Sequence, residues 1–264
     1  MIRTCHLSFP GRQGPLAFDC FESSERHVAA ILNGTTYPEI PDIGPVETVV
    51  DVGANVGAAS VVFAARYATA TIHAFEPGPV PRAVLERNVL PVGRIRVYPY
   101  GLHDHDATVR LYRSFWDPMS ASIQSSTENG AEFDEIVLRN AAAVLDAEGI
   151  HSIDVLKIDT EGCEVPILTS FGERARKARL IYLEYHSEAD RRWIDQMLGP
   201  SHVLAAGTVR HAHRGDLCYV ANSVPFAERM AEHAIQRQAD GNQAGTGPTG
   251  KVCEPDEKSS LGRL

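Results

Sequence analysis

Residues 49–60 read VVDVGANVGAAS: an apolar run, an acidic residue at position 51, then a turn in which Gly53, Asn55 and Gly57 lead into small residues that open a helix. Glycines at such a turn permit a tight bend and close approach of backbone, so a ligand can lie over the carboxyl end of the strand against the helix N-terminus. The spacing is not the Gly-x-Gly-x-x-Gly of dinucleotide sites. Asp51 also stands where the charge of a pyrophosphate would be repelled, which favours a cationic or amino-bearing ligand. Taken alone, a glycine-rich strand-to-helix turn is also common as a plain turn.

The next strand narrows the choice. TIHAFEPGP (71–79) ends in Glu76 and Pro77, with the carboxylate about twenty residues beyond the glycine turn, where an acidic side chain accepts hydrogen bonds from ribose hydroxyls. Asp51, Gly53, Asn55, Gly57 and Glu76 together describe an adenosine site without a phosphate site, the requirement of S-adenosylmethionine. After the third strand, YPYGLHDHDA (98–107) puts Leu102, His103 and Asp104 where an adenine ring would lie, with Asp104 able to accept from its amino group; a polar surface turn is the competing reading.

Outward from this centre, short β-rich runs alternate with helix-period segments from about Val46 to Val220, the pattern of a mostly parallel sheet with helices on both faces. Strands are expected at 46–52, 70–75, 95–100, 153–158, 180–184, 202–206 and 217–221, and helices at 57–67, 80–90, 141–148, 163–171 and 188–198. An inserted hairpin, ATVRLYRS (107–114) and EFDEIVL (132–138), interrupts the alternation, and its long Ser-rich loop suits a lid. Residues 1–45 are expected to cap one edge of the core, 46–225 to form the main domain, 226–239 a terminal amphipathic helix, and 240–264 a disordered tail rich in Gly, Pro and polar residues.

Bulk properties fit this organisation. The 264 residues are 44% hydrophobic and 22% charged, enough for one α/β domain with appendages. A net charge of −9 disfavours a nucleic-acid partner, whose phosphates call for clustered Lys and Arg. No apolar run is long enough to span a membrane and no leader pattern follows Met1, so a cytoplasmic setting is expected. The five cysteines are scattered without metal-site spacing, consistent with reduced thiols.

The last informative stretch is DVLKIDTEGCEVPIL (154–168), a strand that carries Lys157 at its centre and ends in an acidic turn, followed by LIYLEYH (180–186). In order, VVDVGANVGAAS, HAFEP and this block resemble the FkbM-type S-adenosylmethionine-dependent methyltransferases, over about Tyr37 to Val220. The resemblance implies an α/β, Rossmann-like class I methyltransferase fold with a seven-stranded, mostly parallel sheet. It further implies methyl transfer to a hydroxyl, usually of a sugar, glycoside or secondary metabolite, by a small-molecule enzyme whose association with further copies stays open.

Such a transfer needs a general base, or a metal that acidifies the hydroxyl. Asp159 and Glu184 end neighbouring strands at the ligand crevice and suit Mg²⁺ by analogy with other small-molecule O-methyltransferases. Without a metal, Asp159 faces the cofactor's amino group and Lys157. His186 is the leading base because imidazole titrates near neutrality. Glu161 and Lys157 complete the catalytic set, Lys157 offsetting the acidic groups with Asp159 or Glu184 as its partner. Tyr37, Trp116 and Trp193 either line an acceptor pocket or pack in the core. His211 and His213 read as solvated loop residues. A polyketide-type hydroxyl is the second acceptor class; a nicotinamide-dependent oxidoreductase and a non-catalytic cofactor-binding module are the remaining alternatives.

Overall fold

A computed structural model describes residues 1–8, 13–114, 122–123, 129–211, 213–228 and 230. Strands β1 (Ile2–Leu7) and β2 (Leu16–Phe21) form an antiparallel ribbon, followed by helix α1 (Glu25–Leu32). The alternating region then runs β3 (Thr48–Val52), α2 (Ala58–Arg66), β4 (Thr71–Phe75), α3 (Pro79–Val89) and β5 (Ile95–Tyr98). Three strands, β6 (Gly101–His103), β7 (Ala107–Ser114) and β8 (Asn129–Asn140), make a separate small sheet. The chain continues through α4 (Ala141–Ala147), β9 (Val155–Ile158), α5 (Glu164–Phe171), α6 (Glu173–Lys177), β10 (Leu180–Tyr185), α7 (Glu188–Leu198), β11 (His202–His211) and β12 (Arg214–Ala221).

The main sheet has seven strands in the order β11-β12-β10-β9-β3-β4-β5, in which β3, β4, β5, β9 and β10 are mutually parallel and β12 runs against β10. This is the Rossmann-like class I methyltransferase arrangement. The strand order reverses between β3 and β9, so their carboxyl ends open the crevice where ligands bind in doubly wound sheets.

Alternation along the central strands divides the core. Val49 and Val155 face the side covered by α1 and α2, while Val50, Val52, Leu156 and Ile158 face the side covered by α4, α5 and α7. Each apolar side chain fully buried in this way contributes about 1.5–3 kcal/mol. Because β3 and β9 are buried on both faces, their only tolerable polar residues are ones that find partners inside the sheet.

The structure departs from expectation in two places that matter for the site. Residues 1–45 do not cap a sheet edge. Leu16, Phe18, Val28, Ile31 and Tyr37 are buried in the same core as α2, and β2 also contacts α3, so the segment lies over these helices and belongs with the rest of one compact unit, Met1–Glu228. The strands expected at 202–206 and 217–221 extend into a long hairpin, with Val209 pairing Gly215 and His211 pairing Arg214. Residues 225–228 are helical, and most of the expected terminal helix, the tail and the Ser-rich loop with Trp116 lie outside the described residues. Among the described residues no helix is long and apolar enough to cross a membrane.

Candidate active site

The turn after β3 is built around close backbone approach. Gly53 adopts φ 77°, and a Cβ there would sit 1.8 Å from the Asp159 carbonyl oxygen, so no side chain fits. Asn55 also takes a left-handed conformation, at φ 53°, an uncommon cost outside glycine that recurs at ligand sites. Glu76, at the end of β4, accepts hydrogen bonds from the Asn55 N–H at 2.8 Å and the Gly78 N–H at 2.7 Å, tying the two turns together. Burial pushes its pKa up to about 7, against the pull of those two donors.

Glu76 lies in a cavity of about 240 Å³ whose remaining walls include Pro77, Leu102 and, from the β7–β8 hairpin, Leu111, Ile136 and Leu138. The result is an apolar slot with one buried carboxylate, a shape suited to a flat ring joined to a hydroxylated sugar. His103 and Asp104, expected against the adenine, do not line it: Asp104 Oδ1 lies 2.6 Å from His103 Nδ1 and 2.5 Å from His105 Nδ1 in an exposed turn. The polar residues on that wall are instead Arg113 and Asp134, paired through two bonds of 2.6 and 2.8 Å. Strand alternation in EFDEIVL, which puts Asp134, Ile136 and Leu138 on one face, was the available signal for them.

The acidic turn after β9 resolves into separate roles. Lys157 is opposite Asp51 in the parallel register of β9 and β3, and its ammonium lies 3.2 Å from Asp51 Oδ1, with both side chains buried. It donates to the Gly53 carbonyl at 2.6 Å, and Asp159 is farther away at 4.0 Å. Asp51 also accepts from Ser60 Oγ at 2.6 Å. Asp51 is therefore not a ligand contact: it lines neither cavity, and it is the partner of Lys157 that the local pattern assigned to Asp159 or Glu184. Lys157 fixes the glycine turn from below. Burial opposes its charge, but Asp51 and Asp159 outweigh that and hold its pKa above the ordinary value. Gly57, at φ 87°, packs against Leu85 behind the turn and lines neither cavity.

Glu164, the last acid of the motif, is buried and accepts from the N–H groups of Thr160 and Gly162 and from the Thr160 hydroxyl, so it shapes the turn from within. That turn holds Glu161 at φ 56°. Glu161 projects to Arg214 at 2.7 Å and to His186 Nε2 at 3.1 Å. His186 Nδ1 lies 3.3 Å from Glu164. Burial disfavours a charged ring, yet the Glu161 and Glu164 carboxylates prevail and raise the His186 pKa to about 10. Flanked by two carboxylates, the ring is favoured as the cation, which weighs against the expected role of His186 as the base.

Glu184 accepts from Arg214 at 2.5 Å and from Arg210 at 3.1 Å through the same oxygen. Burial and the adjacent Asp159 carboxylate push Glu184 up; Asp159 is itself drawn down, because Lys157 and the hydrogen bond from Glu184 outweigh its burial. Donor atoms of Asp159, Glu184 and His186 lie within 4.8 Å of one another, close enough to surround a cation. Mg²⁺ calls for ionised oxygens with lone pairs to spare. Here one Glu184 oxygen already receives two guanidinium groups, Asp159 lies beside the Lys157 ammonium, and the His186 ring nitrogens face Glu161 and Glu164, so these residues as arranged do not fit Mg²⁺.

Lys157, Asp159, Glu161 and Glu184 line a second cavity of about 210 Å³, which shares Gly53, Asn55, Asp159 and Glu161 with the first. Its other walls come from the long hairpin, through Arg210 and Arg214, and from the N-terminal segment, through His27, Ile31 and Tyr37. Of these only Tyr37 was expected at a pocket from the sequence, since RHAHRG has the look of a loop and α1 that of an ordinary helix. Tyr37 packs tilted against Phe63 and edge-on against Tyr182 at the cavity edge, whereas Trp193 packs against the α5–α7 side of the core.

Comparison with known proteins agrees with this geometry. Residues 51–222 match the family described as the methyltransferase FkbM domain. The chain is 26% identical over 159 residues to the 2-O-methyltransferase NoeI of Sinorhizobium fredii, covering 54% of this chain and 65% of that one. It is 29% identical over 157 residues to the 31-O-demethyl-FK506 methyltransferase FkbM of Streptomyces tacrolimicus, covering 48% and 60%. The chain thus spans somewhat less than two thirds of these curated relatives. Among solved structures, the fibrillarin pre-rRNA processing protein of Methanococcus jannaschii superposes with a TM-score of 0.48 at 9% identity, over 83% of this chain and 88% of that one.

Proposed function

The chain belongs to the FkbM methyltransferase family, and from that premise we propose that it moves the methyl group of S-adenosylmethionine to a hydroxyl of a sugar, glycoside or comparably polar small metabolite. The observation that carries this reading is the pair of adjoining cavities at the switch point of the sheet, one apolar with a buried carboxylate, the other lined by charge. Glu76 would take the ribose hydroxyls, the slot formed by Leu102, Leu111 and Ile136 the adenine, and Asp159 with Glu161 would face the cationic end of the cofactor. Bound there, the cofactor supplies an electrophilic methyl group. The chain's own residues do the rest: they orient the acceptor, exclude water and arrange charge.

The acceptor class follows from the second cavity. Its charged rim of Lys157, Arg210, Arg214 and the carboxylates suits a molecule rich in hydroxyls better than an extended apolar one, which ranks a sugar above a polyketide-type acceptor. With a formal charge of −9, the chain suits a small acceptor better than nucleic acid. The oxidoreductase alternative needs a fresh argument, because Asp51 is turned into the sheet and does not repel a pyrophosphate; the absence of the dinucleotide glycine spacing and the family membership remain. Catalysis is proposed to run without Mg²⁺. Parallel calorimetric titrations with S-adenosylhomocysteine and NADH test the reading: binding of the first alone supports it, and binding of NADH alone would sink it.

A further inference from the structure

Transfer to a hydroxyl requires a place for its proton, and the groups around the strand ends are committed. Glu184 accepts from Arg210 and Arg214, Asp159 lies beside Lys157, Glu161 lies between Arg214 and His186, and His186 is flanked by Glu161 and Glu164. Lys157 is charged, and burial drives the Tyr37 phenol well above its ordinary value, so it keeps its proton. One titratable side chain on the cavity wall is left, His27.

His27 reaches the cavity from α1, together with Ile31 one helical turn later. The helix is anchored by burial of Val28 and Ile31 in the α2 side of the core, which fixes the direction of the imidazole. Among the described residues His27 has no hydrogen bond and no ion pair, in contrast to His186, which lies beside Glu161 and Glu164. The groups facing it are Lys157, Asp159 and Glu161 from β9 and its turn, Glu184 from β10, Arg210 and Arg214 from the long hairpin, and Tyr37 from the segment after α1.

We propose that His27 is the general base of the transfer, so that the N-terminal segment, outside the region matched to the family, completes the active site. This rests on the methyltransferase reading above. As the acceptor oxygen bonds to the methyl carbon, the carbon–sulfur bond breaks and its electron pair stays on sulfur, while the hydroxyl proton passes to the imidazole of His27. The products are a methyl ether, a thioether and an imidazolium, which returns its proton to water through its partly exposed edge. Imidazole is the side chain whose ordinary titration range suits such an exchange.

The test compares the wild type with His27→Gln and His27→Ala, using S-adenosylmethionine with methyl glycosides of glucose, fucose and rhamnose as acceptor probes. We expect S-adenosylhomocysteine affinity within about twofold of wild type, turnover down by about 100-fold, the usual reach of a general base, and loss of the acidic limb of the pH–rate profile. Added imidazole should restore part of the rate of His27→Ala. In the wild type, the His27 ring resonance should shift on adding glycoside to the S-adenosylhomocysteine complex, a readout that survives if a variant fails to fold. Full activity with an unchanged pH profile, or a ring resonance indifferent to glycoside, would overturn the inference while leaving the methyltransferase reading intact. Absence of S-adenosylhomocysteine binding, or of methyl transfer to every probe, would overturn that reading and the inference with it.

Discussion

The two cavities of the site are built on opposite principles. The first is an apolar slot with one buried carboxylate, made by a glycine turn, a strand-end acid and a hairpin wall. The second is held by ion pairs that join Glu161 and Glu184 at the strand ends to Arg210 and Arg214 of the hairpin of β11 and β12, with α1 forming another wall. The first can be altered one residue at a time, while the second is a network in which removing one charge strands another.

The largest effect is expected beneath both cavities. Lys157→Met leaves Asp51 buried at 0% exposure without its counter-charge and should destabilise the fold by about 3–5 kcal/mol, read as a lower urea midpoint. Adding Asp51→Asn to that variant should recover part of the loss. If the single variant melts like the wild type, the pair is not what holds the turn. Next comes the floor of the apolar slot: Glu76→Ala should weaken S-adenosylhomocysteine binding by about 100-fold, equivalent to roughly 3 kcal/mol of hydrogen bonding to a charged acceptor. Calorimetry showing unchanged affinity would remove Glu76 from the cofactor site.

What could be read beforehand follows the same division. The parallel sheet and the strand-end place of Glu76 were legible because alternation, glycine turns and strand-end acids are written in short windows. Lys157 was recognised as needing a carboxylate, but the nearest acid in the chain, Asp159, is not the nearest in space. Asp51 is, because β3 and β9 pair in register, and no short window contains that pairing. His186 looked like a base for the same reason: its partners Glu161 and Glu164 lie on another element and only the fold brings them within 3.1 and 3.3 Å. Arg210 and Arg214 were hidden in a segment rich in His and Arg that reads as a loop, and His27 in a helix outside the recognised motifs. By contrast, Glu164 could have been inferred, since an acid two residues past a glycine in a tight turn commonly caps the turn's N–H groups.

Two pH experiments sharpen the comparison further, each acting on one cavity. A histidine held at a pKa of about 10, above its unfolded value near 6.5, stabilises the fold fully below pH 6.5 and loses that contribution as pH rises toward 10. The melting temperature of the wild type should therefore fall between pH 7 and 10, by roughly 5 °C, and that slope should flatten in His186→Gln. An equal slope in both proteins would mean that His186 is not the titrating group. The smaller effect is at Glu76, which titrates at about 7 and accepts ribose hydroxyls as the ionised form. Lowering the pH from 8 to 6 should weaken S-adenosylhomocysteine by about tenfold, and a pH-independent affinity would contradict that assignment.

The central claim is that the paired cavities carry a methyl group to a hydroxyl. It is tested most directly by incubating the protein with methyl-labelled S-adenosylmethionine and the glycoside probes in the presence of excess chelator, then locating the label. The account predicts labelled methyl ether on a sugar hydroxyl at an undiminished rate. Label on nitrogen, no transfer despite cofactor binding, or transfer that disappears with the chelator and returns with Mg²⁺ would contradict it.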